Sequence, residues 1–220
     1  MMLAKKAEKF SLKGLYLVTP DWDDTQRLLS VSEAALAGGA NLLQYRHKTA
    51  SPALRLEQAT ALLALCRRFD CPLIINDHVA LCLAIGADGV HVGGTDAAVT
   101  TVRSQIGQDL ILGASCYGDL ALAQSAYESG ASYVAYGGFY ASRVKKYPVT
   151  TSATIIALSQ VTIPLPVAVI GGMTPENSAA LITAGADMVA AISSVYLVDD
   201  PQQAARGFSH LIALICRSAH

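Results

Sequence analysis

The sequence predicts an α/β fold, closed as a single (β/α)8, or TIM, barrel. Three observations carry that prediction. Short apolar runs alternate with amphipathic stretches eight times along the chain. The dipeptide Gly-Ala recurs ahead of every second run, at Gly39-Ala40, Gly86-Ala87, Gly130-Ala131 and Gly185-Ala186. The chain has 220 residues, 52% of them hydrophobic, and no Pro/Ser/Gly linker or charge run divides it. Alternating strands and helices imply a parallel sheet, and eight such units most economically close into a barrel. An open doubly wound sheet is the alternative, and the eight-fold count disfavours it. The whole of 1–220 then forms one domain, with residues 1–13 as a short N-terminal extension.

The strands are expected at 15–19, 41–46, 72–75, 89–92, 110–114, 132–137, 166–170 and 187–191. The helices are expected near 25–38, 53–69, 78–85, 96–106, 118–129, 150–160, 175–184 and 200–216. Each Gly-Ala lies where a helix passes into a strand. Gly there ends the helix in a left-handed conformation without a Cβ clash, and the small Ala lets the chain turn tightly. The run at 41–46 is apolar and then ends on an amide and cations: Gln44, Arg46 and, one step on, Lys48. The third run ends on Asn76-Asp77, and Asp96 follows the fourth. The fifth ends near Ser115, the sixth near Gly137-Gly138, the seventh on Gly171-Gly172 and the eighth on Ile192-Ser193-Ser194. Strand ends of this kind are where parallel α/β folds place their chemistry.

The bulk numbers exclude several classes. A net charge of −1 favours neither nucleic acid nor an anionic membrane. The five cysteines are scattered with no Cys-x-x-Cys pair, which argues against structural zinc and for a reducing cytosol. The first nine residues carry charge with no apolar stretch behind them, unlike a signal peptide. Mean hydropathy is positive, yet no run of about 18 apolar residues occurs. A cytoplasmic protein acting on small molecules is expected, and self-association stays open.

Strand alternation puts Leu42, Gln44 and Arg46 on one face. If that face points inward, an amide and two cations sit at the barrel mouth and suit an anionic ligand with a heterocyclic part. A solvated strand end is the alternative, and it requires Arg46 to lean outward. Asp77 and Asp96 stand on neighbouring loops and together suit one Mg2+. Each also stands just before a helix, where Asp is a favoured cap. Ser115 lacks a Gly-x-Ser-x-Gly setting, so no hydrolase nucleophile is read there. The stretch from Gly138 to Pro148 has glycine and then basic residues, as in a lid over phosphate, or in an ordinary exposed loop. Gly171-Gly172 and Ser193-Ser194 follow the seventh and eighth runs, the usual phosphate cradle of such barrels. His47, His78 and His91 are left unassigned, and Cys116 is read as packing.

These residues together resemble the thiamine-phosphate synthase family. The motifs that carry the resemblance are Leu15-Tyr-Leu-Val-Thr-Pro20, Gln44-x-Arg46-x-Lys48-Thr49, Ile75-Asn76-Asp77, Gly86-Ala-Asp-Gly-Val-His-Val-Gly93, Gly113-Ala-Ser115, Gly171-Gly172 and Gly185-Ala-Asp. They span nearly the whole chain in the family's order. The resemblance implies a (β/α)8 transferase. It would join 4-amino-2-methyl-5-hydroxymethylpyrimidine diphosphate to a thiazole phosphate and release pyrophosphate, by a dissociative displacement assisted by Mg2+. It implies pyrimidine and diphosphate contacts at Gln44, Arg46, Lys48, Asn76, Ser115 and Lys145. Of these, Arg46, Lys48, Ser115 and Lys145 would be catalytic. It implies Mg2+ ligands at Asp77 and Asp96, and thiazole-phosphate contacts at Ser142, Val144, Gly172, Ile192 and Ser193.

The chain departs from the family pattern where Gly94 replaces a usual Gln. It departs again where Ala141, Ser142 and Val144 replace a Pro-Thr-x-Thr run. Ser142 keeps a hydroxyl; Val144 offers only its backbone N–H, and one lost hydrogen bond to a charged group costs about 1.5–3 kcal/mol. Two other readings are carried. One is a tautomerase-like barrel, which would need a His near the end of the fifth strand, where Tyr117 stands. The other is a non-catalytic barrel that binds thiamine precursors and regulates.

Overall fold

The computed structural model describes residues 10–93, 99–141 and 150–218. Its strands are β1 (Gly14–Val18), β2 (Leu42–Tyr45), β3 (Leu73–Asn76), β4 (Gly89–Val92), β5 (Ile111–Tyr117), β6 (Tyr133–Gly137), β7 (Val167–Ile170) and β8 (Met188–Ala191). All neighbours pair in parallel in sequence order, and β8 closes on β1, so the sheet is a barrel and not an open sheet. The helices among the described residues are α1 (Thr25–Ala37), α2 (Pro52–Arg68), α3 (Val79–Ile85), α4 (Val99–Ile106), α5 (Leu120–Glu128), α6 (Thr154–Thr162), α7 (Pro175–Thr183), α8 (Ser193–Tyr196) and α9 (Pro201–Ser218).

Local chemistry sets several of these bounds. Asp24 caps α1 by accepting from Arg27 N at 2.9 Å. Ser51 caps α2 through Leu54 N at 3.2 Å, with Pro52 opening the helix. Thr174 and Asn177 form a reciprocal capping box at the start of α7. Two elements differ from the sequence expectation. α8 has four residues, too few to show a helical period. β5 continues to Tyr117 because a register shift between Ser115 and Tyr117 re-aims its end.

Strand alternation divides the core into two. Leu15, Leu17, Leu43, Leu73, Ile75 and Leu112 face outward and are covered by the helices. Tyr16, Leu42, Ile74, Tyr133, Ala168 and Met188 fill the barrel interior. Phe10 and Leu12 join that interior cluster, so the described part of the expected N-terminal extension packs into the barrel. Each fully buried Leu or Ile contributes roughly 1.5–3 kcal/mol, and a one-residue register slip would turn every one of them to the wrong face.

The Gly-Ala echo has a structural cause. Gly39, Gly86, Gly130 and Gly185 all have positive φ, from 70° to 108°. The residue after each Ala then ties two strands together. Asn41 Oδ1, Asp88 Oδ2, Ser132 Oγ and Asp187 Oδ2 accept from the backbone N–H of Leu15, Leu73, Leu112 and Val167, at 3.0, 2.9, 3.1 and 3.0 Å. Their own N–H groups donate to the carbonyls of the same four residues. Each even strand is thus pinned to the odd strand before it by the same pair of bonds. Asp88 also takes Arg67 in a bidentate pair, at 2.7 and 3.0 Å. Among the described residues, no helix is long and apolar enough to cross a membrane.

Candidate active site

The polar strand ends meet at the C-terminal mouth of the barrel. Gln44 is the second residue on β2 to point inward after Leu42, and it is buried within the lumen. Arg46 follows the end of β2. Thr19, just past β1, holds its backbone from both sides: Thr19 Oγ1 donates to Arg46 O at 2.9 Å and accepts from Arg46 N at 2.8 Å. Asp21 then takes the Arg46 guanidinium at 3.3 and 3.4 Å and the Lys48 N–H at 2.9 Å. The Arg46 side chain is only 13% exposed, so it does not lean into solvent.

Lys48 Nζ lies 2.6 Å from Asp77 Oδ2, and Asn76 Nδ2 donates to the same oxygen at 2.6 Å. Asp77 has φ of 63°, a left-handed conformation that costs a non-glycine residue of order 1 kcal/mol or more. It does not cap α3; His78 occupies that position, with no side-chain cap. Burial, and then the nearby Arg55 charge, hold the His78 imidazole below its ordinary pKa. Of the two roles open to Asp77 in the sequence, the helix cap is the one the backbone does not support. Carboxylate oxygens beside a phosphate site are hard ligands that suit Mg2+, which needs only one or two from protein. Asp96 and the neighbouring Gly94 lie outside the described residues.

On the opposite side of the mouth, a cavity opens over β5 to β8. It is lined by Ser115, Tyr117, Tyr140, Thr151, Ile170, Gly171, Gly172, Met173, Ile192, Ser193 and Ser194 among others. Its wall is largely apolar, and it includes the glycine turn after β7 and the first turn of α8. Gly172 has φ of 64°, and a Cβ there would strike Ala141 O. The turn therefore needs glycine, and its backbone stays open to a close-fitting ligand. Tyr117, at φ of 54°, stands where the tautomerase-like reading needs a His.

Ser115, Gly172, Ile192 and Ser193 thus share one cavity. Gln44, Arg46, Lys48 and Asn76 gather separately, at the ends of β2 and β3. Ser142, Val144 and Lys145, with the rest of the expected lid up to Pro148, lie outside the described residues. The sequence reading missed Thr19 and Asp21, which orient Arg46. The acidic run Asp21-x-Asp23-Asp24 after an apolar strand was the available signal. It also left His91 unassigned. The structure places His91 inside the barrel with Tyr133 OH on one ring nitrogen and Ser115 Oγ on the other, both at 2.9 Å.

A parallel (β/α)8 barrel that gathers cations, a carboxylate and a glycine-walled cavity at one mouth has its polar groups where barrel enzymes of this fold carry their chemistry. Comparison with known proteins makes this specific. The family model described as thiamine monophosphate synthase matches residues 15–195. A thiamine-phosphate synthase of Janthinobacterium sp. is 65% identical over 205 residues, covering 93% of this chain and 99% of that protein. Another, of Methylobacillus flagellatus, is 47% identical over 200 residues, covering 91% and 95%. The solved thiamine phosphate pyrophosphorylase of Pyrococcus furiosus superposes with a TM-score of 0.80 at 28% identity, covering 92% of this chain and 96% of that one. The chain belongs to the thiamine monophosphate synthase family, enzymes that couple a pyrimidine and a thiazole moiety into thiamine phosphate.

Proposed function

We propose that the two halves of the mouth take the two substrates. The β2–β3 side takes the pyrimidine diphosphate and the β5–β8 cavity takes the thiazole phosphate. The observation that carries this is the separation of the charged cluster from the largely apolar, glycine-walled cavity. Arg46 and Lys48 bind the diphosphate. Gln44 and Asn76 orient the pyrimidine end from the β2–β3 side, and Ser115, on the wall of the cavity, reaches that ring from across the mouth, where the two substrates meet. Gly172, Ile192 and Ser193 cradle the thiazole phosphate, joined by Ser142 and Val144, and Lys145 joins Arg46 and Lys48 at the diphosphate.

The reaction needs little proton chemistry. The bond between the pyrimidine methylene carbon and the diphosphate oxygen breaks, and pyrophosphate leaves with both electrons. The aminopyrimidine ring spreads the positive charge left on the methylene. The thiazole nitrogen then donates its lone pair to form the new C–N bond, and becomes the cationic nitrogen of the product. No base is required, which fits a mouth that, among the described residues, gathers Arg46, Lys48 and Asp77. Arg46 and Lys48 stabilise charge where it grows on the leaving group. Asp77 and Asp96 would hold Mg2+, which when bound supplies further electrostatic stabilisation of pyrophosphate.

Steady-state kinetics with each substrate varied in turn test the division. Arg46→Ala should lower kcat/KM for the pyrimidine diphosphate, with little change in KM for thiazole phosphate. Gly172→Ala should do the reverse. Crossed results would overturn the assignment of sides.

A further inference from the structure

The barrel interior of this enzyme is crossed by a continuous line of hydrogen bonds. Gln44 Nε2 donates to Tyr16 OH at 2.7 Å, Tyr16 OH meets Tyr133 OH at 2.6 Å, Tyr133 OH meets His91 Nδ1 at 2.9 Å, and His91 Nε2 meets Ser115 Oγ at 2.9 Å. Tyr16 and Tyr133 are 1% and 0% exposed. Their rings pack edge to face, and His91 stacks on Tyr133 with centroids 5.6 Å apart. The chain runs between two residues placed above on opposite sides of the mouth. A barrel interior is normally filled with branched apolar side chains, so three polar ones in series call for a reason.

We propose that Tyr16, Tyr133 and His91 are positioning residues that give the site a fixed hydrogen-bond polarity, with Gln44 offering an acceptor and Ser115 a donor to the pyrimidine substrate. The proposal rests on the assignment of Gln44 and Ser115 to that substrate.

Proton counting gives the direction. Tyr16 oxygen accepts from the Gln44 amide, so its own hydrogen goes to Tyr133. Tyr133 already accepts, so its hydrogen goes to His91 Nδ1. Neutral His91 then carries its proton on Nε2 and gives it to Ser115 Oγ. The Ser115 hydrogen is left to point into the cavity that this residue lines. Starting from the Gln44 N–H, this is the direction in which every buried proton finds an acceptor. Burial drives both phenol pKa values upward, so both keep the protons the chain needs. At the other end, the Gln44 amide is fixed through its nitrogen, which leaves Oε1 for a donor. An aminopyrimidine brings such a donor in its exocyclic amine, and its diphosphate oxygens or ring nitrogens accept from Ser115. An oxo group in place of the amine would demand a turned amide, and that would reverse every bond down to Ser115. The chain thus makes selection of the amino over the oxo ring cooperative. Gly113 belongs to the same device: a Cβ there would overlap the Tyr133 ring and hydroxyl and crowd His91 Nδ1 at 2.5 Å.

The test uses Tyr16→Phe, Ser115→Ala and their combination in the full chain. The expected result is a loss of about 10-fold in kcat/KM for the pyrimidine diphosphate in Tyr16→Phe. KM for thiazole phosphate should stay the same, and preference for the amino over an oxo analogue should fall. In the Ser115→Ala background the same change should cost clearly less, because the two residues, which share no hydrogen bond, act through one chain. Additive losses, or an unchanged amino/oxo ratio, would overturn the proposal. Nitrogen-15 spectra of the wild type provide a readout that needs no variant to fold: His91 is expected as the Nε2–H tautomer, and the Nδ1–H form would contradict the direction assigned. Gln44→Ala and Ser115→Ala at wild-type kcat/KM would remove the site assignment and this proposal together. Losses in those two with none in Tyr16→Phe would remove this proposal alone.

Discussion

Asp77 joins a strained backbone to a charge pair, and the two can be separated by substitution. Asp77→Asn keeps a residue that tolerates the left-handed region and removes only the charge. Turnover should fall at least about 100-fold, an electrostatic loss of the size seen for single transition-state contacts, while the melting temperature moves by only a few degrees. Excess Mg2+ should restore activity only in part. Normal turnover with a lowered melting temperature would assign Asp77 a purely structural role. The cysteines give a second check on individual side chains. Cys66, Cys71, Cys82 and Cys116 are buried and Cys216 is exposed. Burial pushes the Cys116 thiol up to about 12, so it stays protonated at neutral pH. Mass spectrometry after iodoacetamide treatment of the folded enzyme should show one modified cysteine, Cys216, with activity intact; modification of Cys116 would contradict the reading of it as packing. Single residues were the level at which the sequence was most ambiguous. Asp before a helix reads as a cap or a ligand, and only the backbone angle at Asp77 separates the two.

The strands were legible in the sequence because an apolar run bounded by turn residues leaves little choice. Helix starts at Thr25 and Pro175 were legible from the amphipathic pattern that begins there, and the structure adds the caps, Asp24 and Thr174. α8 and the end of β5 were not, since a four-residue helix has no period and a register shift depends on the neighbouring strand. The Gly-Ala echo was visible, but the work of the residue after it was not, because its partner lies a whole unit away. Asp88 shows how much that partner matters. Its carboxylate holds both Leu73 N–H and Arg67. Asp88→Ala should cost about 2–4 kcal/mol in urea unfolding, from a buried donor and a cation that lose their acceptor. The folded fraction should keep its KM values, since the pair lies away from the mouth residues. A stability loss below about 0.5 kcal/mol would show that strand pairing alone holds that junction.

Across the molecule, the barrel brings together groups that the chain keeps far apart. Tyr16 and Tyr133 are 117 positions distant yet share a hydrogen bond. Alternation along a single strand tells which residues face inward, but not which of them meet across the lumen, so the interior line was hidden while the mouth residues were not. That is also why His91 stayed unassigned in the sequence. Closure of eight strands brings a charged cluster at the ends of β2 and β3 to the same mouth as a cavity over β5 to β8. The measurement that bears most directly on this account is product analysis with purified enzyme, both substrates and Mg2+. Thiamine phosphate and pyrophosphate should appear in equal amounts, with neither formed when one substrate is left out. Binding of both substrates without either product, or isomerisation of the thiazole phosphate with no pyrimidine present, would contradict it.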